Sequence, residues 1–200
     1  MNRDGLAGGL LLAALGWWIT FGLAWGNFWA KIGVAVVLIT AYSVVWHRPR
    51  LRFSPSSIAW GVGSAAALYG IFFAGNALAP HVVPGAARQV GGIYGLGDGS
   101  SRAAVALLLL FVTGPCEEIF WRGFFQERLQ RRWGTWPGFA AATLAYGLVH
   151  VVSRNPMLVL AALTAGAFWG LMWVYKRDLA ALVVSHSLWS AVIFAVAPVR

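Results

Sequence analysis

Apolar runs of about twenty residues recur from one end of this chain to the other, and no other feature restricts its fold as much. A helix that crosses the hydrocarbon core of a bilayer needs about 20 mostly apolar residues. By that rule candidate spans fall at roughly 6–26, 28–46, 57–79, 102–121, 136–152, 157–175 and 179–198. The chain of 200 residues is 60% hydrophobic and 10% charged, against about 45–50% and about 25% in ordinary soluble domains. A soluble domain cannot hide that much apolar surface. The fold class is therefore all-α, a polytopic membrane helix bundle of about seven transmembrane helices, bounded by about six and about eight, in one transmembrane domain over residues 1–200.

The remaining composition fits that class. The 12 Trp and 12 Phe suit many membrane interfaces, where indole rings favour the headgroup zone. A single cysteine, Cys116, excludes an internal disulfide framework. The net charge of +9 falls in short segments between apolar runs, which argues for topology charges and against nucleic acid as a partner. With a cytoplasmic N-terminus, one side holds Arg3, Arg48, Arg50, Arg52, Arg128, Arg131, Arg132, Lys176 and Arg177. The other holds Arg88, Arg102, Arg154 and Arg200. Cytoplasmic connections are the ones rich in Lys and Arg. The expected localisation is a bacterial cytoplasmic membrane, as an integral multi-pass protein with the N-terminus inside. A further element in the Gly-rich 80–101 segment would reverse everything before it.

Ionisable residues inside spans cost about 2.5–3.5 kcal/mol each at a helix centre on insertion scales, and they usually face a protein interior or a wet cavity. Here they are Glu117 and Glu118 on the fourth span, His150 on the fifth and His186 on the seventh. Residues four apart share a helix face, so Glu118 stacks with Arg122, Tyr146 with His150, and His186 with Ser190. Glu117 lies about 100° around the helix from Glu118. One carboxylate can therefore meet partner helices while Arg122 ties down the other. Gly114 and Pro115 precede the pair and imply an irregular backbone at that depth, which membranes tolerate only under cover of protein or water.

These side chains support two routes to hydrolysis. A buried glutamate can act as general base on a water. Alternatively Glu118, His150 and His186 can hold a divalent metal, zinc, with one position open for water, although the His-Glu-x-x-His signature is absent. Each residue also has a plainer reading: a helix end meeting water for the glutamates, buried or interfacial histidines, and packing roles for Tyr146, Ser190 and Cys116. The competing function class is a non-enzymatic polytopic protein, an ion-coupled transporter or an assembly or immunity factor, using the same Glu and His as a proton or cation path.

Taken together, "EEIFWRG", "YGLVH" and "HSLWS" resemble the three motifs of the CAAX-protease and bacteriocin-processing family of intramembrane proteases. The resemblance covers about 103–197, and the EExxxR stretch is its most specific part. It implies Glu117 as the base that activates water, with Glu118 as its partner or a ligand and Arg122 as the anchor of the motif helix. It implies His150 as the residue that orients the water or binds metal, and His186 as the group that polarises the scissile carbonyl or the second ligand. Tyr146 stands where the family typically has Phe, and Ser190 where it has Asn. A serine there reaches less far toward an oxyanion than an amide does. The implied substrate is a membrane-embedded or lipid-anchored peptide or protein: a prenylated tail, a leader peptide or a C-terminal sorting helix. It would arrive laterally from lipid or through a partner membrane protein.

The spans leave one tension. Glu117 lies about 22 Å from the outer end of span four and His150 about 21 Å from the inner end of span five, at 1.5 Å per residue. Across a ~30 Å core those depths differ by about 13 Å. Convergence requires span four to start farther in, to bend at Pro115, or the helices to tilt.

Overall fold

The computed structural model describes residues 5–96 and 99–199, and these contain helices joined by short connections, with no strand among them. The elements are α1 Leu6–Gly22, α2 Phe28–Trp46, α3 Pro55–Val82, α4 Ala86–Gly95, α5 Arg102–Trp133, α6 Thr135–Leu148, α7 Pro156–Lys176 and α8 Leu179–Val196. Arg3 and Arg200, two of the topology charges, lie outside the described residues.

Helix starts follow from local chemistry. A side-chain oxygen of Asn27, Ser54, Ser101, Asn155 or Asp178 accepts a first-turn N–H of α2, α3, α5, α7 or α8 respectively. Pro55 and Pro156 occupy first positions, where their missing N–H costs nothing. Gly134, at φ 89°, supplies the reversal between α5 and α6.

Five helices, α2, α3, α5, α7 and α8, are long and apolar enough to cross a membrane. The other two expected spans are shorter. α1 ends at Gly22 rather than 26, and α6 is α-helical only to Leu148 before a 3₁₀ turn over Val149–Ser153. The Gly-rich segment does contain a further element, α4, but its 10 residues rise only about 15 Å and cannot cross. The ends of α3 and α5 that flank it therefore face one side of the bundle.

The largest difference from the sequence reading is in α5. It continues past the expected limit at 121 for twelve more residues and spans 32 in all. That overshoot resolves the depth tension. Measured from the Gly134 turn, Glu117 stands about 24 Å back along α5 and His150 about 22 Å forward along α6 and its 3₁₀ turn, at 1.5 Å per residue. The two residues reach the same level because the stretches on either side of the turn are of matched length. The chain stays helical through Gly114 (φ −55°, ψ −55°) and Pro115. π-helical turns flank this stretch at Leu109–Thr113 and Ile119–Gln126.

Two glycines permit the close helix approaches around this element. A Cβ at Gly114 would stand 2.8 Å from Ser187 Cα on α8, and one at Gly138 would stand 2.6 Å from Gln130 Cα across the α5–α6 hairpin. Apolar clusters flank α5 on both sides. One contains Trp17, Ile39, Phe120 and Phe124, the other Leu68, Trp169 and Leu182.

Candidate active site

The two adjacent glutamates are separated in function by the helix period. Glu118 is fully buried (0% exposed) and its Oε1 accepts from Arg122 Nη1 at 2.8 Å and from His186 Nδ1 at 2.7 Å. Its Oε2 is buried with no hydrogen-bond partner. Arg122 is equally enclosed. Its second nitrogen donates to the Gly166 carbonyl at 3.1 Å, and its guanidinium lies over the rings of Tyr146 and Trp169 at 4.9 and 5.5 Å. Glu118 is thus held by two cationic or potentially cationic groups, in the low-dielectric setting where charge-assisted bonds are strongest.

Glu117, one residue earlier, turns instead into a cavity of about 470 Å³. Its Oε2 accepts the Tyr146 hydroxyl at 3.0 Å. Tyr146, His150, His186 and Ser190 line the same cavity. Three elements, α5, α6 with its 3₁₀ turn, and α8, therefore bring Glu117, Tyr146, His150, His186 and Ser190 to one space. Arg122 and Glu118 stand behind it. The helix end meeting water, the plainer reading of the glutamates, does not match a fully buried Glu118 followed by further helix to Trp133.

His150 is fixed at both ring nitrogens. Nδ1 lies 2.8 Å from the Tyr146 carbonyl, which can only accept, so Nδ1 carries the proton. Nε2 then accepts from the Trp17 indole N–H at 3.0 Å. Trp17 also meets the imidazole edge-on, with ring centres 5.7 Å apart. His186 is fixed differently, by Glu118 at Nδ1 and by stacking on Trp169 with centres 3.9 Å apart and planes 16° from parallel. Ser190, one turn later, is buried at the cavity wall.

Glu118, His150 and His186 are not gathered as a set of zinc ligands in this arrangement. Among the described residues no three His, Cys, Asp or Glu side chains are grouped to hold a metal. In the trio Glu118, His150 and His186, Glu118 Oε1 is committed to Arg122 and His186, and the Nε2 lone pair of His150 points at the Trp17 N–H. Cys116 is a half-buried free thiol whose backbone carbonyl accepts from Thr40 on α2.

A family model described as type II CAAX prenyl endopeptidase Rce1-like matches residues 99–192. Those residues are similar to the Rce1-like family. The matched segment runs from just before α5 into α8 and contains every cavity residue named above except Trp17, which is on α1. Together with the five helices long and apolar enough to cross a membrane, the match indicates an integral membrane protein whose core is similar to a family of proteases. Comparison with curated proteins gave no match, and neither did comparison with solved structures.

Three contributors to the site were not read from sequence. Trp17 and Trp169 looked like interfacial tryptophans, yet one caps His150 and the other stacks on His186. Gln126, one turn beyond Arg122, is buried and donates to the Gly170 carbonyl at 3.0 Å. The i, i+4 spacing of Arg122 and Gln126, meeting carbonyls also four apart on α7, was a signal available in the sequence.

Proposed function

We propose that this chain is an intramembrane endopeptidase, seated in a bacterial cytoplasmic membrane, that hydrolyses a peptide bond of a membrane-associated polypeptide. Glu117 takes a proton from a water in the cavity, and the water oxygen attacks the scissile carbonyl. The carbonyl carbon–nitrogen bond then breaks, and the proton passes from Glu117 to the leaving amine. His150 Nε2, the ring's acceptor atom, orients the water, taking it in place of the Trp17 N–H. His186, held at Nδ1 by Glu118, turns its Nε2 edge to the carbonyl, and Ser190 adds one hydrogen bond to the oxyanion. Arg122 holds Glu118, and through it His186, in position.

The observation that carries this reading is the division of labour between the glutamates. One is consumed by Arg122 and His186, while the other offers a carboxylate to a cavity shared with two histidines. A cation path needs a succession of polar groups leading onward, whereas the rest of this cavity is walled mainly by aromatic and aliphatic side chains.

The test is a set of single variants, Glu117→Ala, His150→Ala and His186→Ala, each expressed at wild-type membrane levels. Loss of processing of the same membrane protein in all three supports the proposal. Retained processing in Glu117→Ala refutes it.

A further inference from the structure

The cavity takes its walls from one half of each helix. α3 contributes from Ile71 onward, α7 only as far as Ala165, α8 from His186 onward, and α5 no farther than Glu117. α1 and α2 contribute the ends that flank the 23–27 connection, and α4 lies along the same end with Ile93 and Tyr94 in the wall. The space therefore runs from the middle of the bundle to the end formed by the connections at 23–27, 83–101 and 153–155. The opposite end is filled. Phe120, Arg122, Phe124 and Gln126, all fully or almost fully buried, continue α5 below Glu117 and leave no lining residue there.

The two ends differ in charge. The filled end carries the 47–54 connection with Arg48, Arg50 and Arg52, the charged last turns of α5, and Lys176 and Arg177. The end where the cavity emerges carries Lys31 in the first turn of α2, Arg88, Arg102 and Arg154, fewer than the filled end. Cytoplasmic connections hold the excess of Lys and Arg. Depth agrees: Glu127, where the charged turns of α5 begin, lies about 15 Å along the helix from Glu117, half of a ~30 Å core.

We infer that the cavity opens to the extracytoplasmic half of the membrane, so that its substrate is an apolar segment of a translocated polypeptide lying in the outer half of the bilayer. The substrate class, though not the sidedness, rests on the peptidase reading above. The wall suits such a segment: Phe21, Phe28, Trp29, Phe72 and Ile193 surround the approach to Glu117 with apolar surface. A lipid-modified tail presented from the cytoplasm would meet the filled, basic end instead.

Sidedness can be measured without any substrate. In a Cys116→Ala background, single cysteines are placed at the cavity end (Val83→Cys, Arg88→Cys) and at the filled end (Arg50→Cys). Intact spheroplasts of an expression host are treated with a membrane-impermeant maleimide. The expected result is labelling of Val83→Cys and Arg88→Cys at least about tenfold faster than Arg50→Cys, which reacts only after lysis. Labelling of Arg50→Cys in intact cells, with the other two silent until lysis, overturns the inference, as does equal labelling of all three. Val83 and Arg88 sit on separate elements, so failure of one variant to accumulate leaves the other to decide. A peptidase reading that failed in the Glu117 variant would leave this labelling pattern unchanged, and the two failures are therefore distinguishable.

Discussion

Replacing Arg122 with Met removes the cation from a site that water does not reach. Arg122 and Glu118 are 2% and 0% exposed, and they meet at 2.8 Å, four residues apart on α5. The variant strands Glu118 with a second oxygen that already lacks a partner, and it also leaves the Gly166 carbonyl without its donor. Breaking a buried pair by removing one partner costs about 3–5 kcal/mol, whereas replacing both by apolar groups of similar volume is often close to neutral. His186 remains on the same Glu118 oxygen, so the lower end of that range, about 3 kcal/mol, is expected for Arg122→Met. The double variant Glu118→Met/Arg122→Met should recover most of the loss. The assay is equilibrium unfolding in mixed micelles, or steric trapping in bicelles, of the two singles, the double and the wild type. A coupling energy above about 1.5 kcal/mol is expected for residues in one such network. Additivity of the two single losses to within about 0.5 kcal/mol would refute the buried-pair account.

Three further outcomes follow from contacts around the site. Trp17→Phe removes the N–H that the catalytic water must displace from His150 Nε2; losing that competing bond of about 1 kcal/mol should raise turnover by up to about fivefold, and the freed nitrogen should become modifiable by diethyl pyrocarbonate where the wild type is protected. Gly114→Ala drives a methyl into the Ser187 backbone and should destabilise the fold by about 1–3 kcal/mol, read as a lowered melting temperature in detergent. Because the Glu, His and Cys side chains form no three-ligand group among the described residues, processing by the purified chain should persist after dialysis against a strong zinc chelator. Loss on chelation with recovery on adding zinc would reverse that conclusion.

Spacing made the polar heart of the site readable. Glu118 with Arg122 was visible as an i, i+4 pair, and so were the shared faces of Tyr146 with His150 and of His186 with Ser190. The structure bonds the first pair directly and ties His150 to the Tyr146 backbone. What spacing could not convey was where α5 ends. A length rule stops a span at its first cluster of charge, but Arg122 and Gln126 are buried against α7 carbonyls. Glu127 then pairs with Arg131 on the same helix and with Arg177 across the bundle, which carries the helix to Trp133. With α5 cut short at 121, Glu117 and His150 fell at different depths, which a shifted span, a bend at Pro115 or helix tilt would have had to correct. Trp17 was illegible for another reason. Its partner lies 133 positions away, and an indole that serves as a hydrogen-bond donor in a core looks in sequence like one anchored at an interface.

The central claim is that Glu117 activates water for peptide-bond cleavage in this cavity. Its most direct test is a comparison, by mass spectrometry, of membrane-protein termini in cells expressing the wild-type chain and the Glu117→Gln variant at equal levels. The glutamine keeps the shape of the side chain and a partner for the Tyr146 hydroxyl but cannot take a proton from water. One or more new termini in apolar, membrane-associated segments are expected in the wild-type cells and none in the Glu117→Gln cells. Termini that persist unchanged in the variant, or terminus sets that are identical in both, would contradict it.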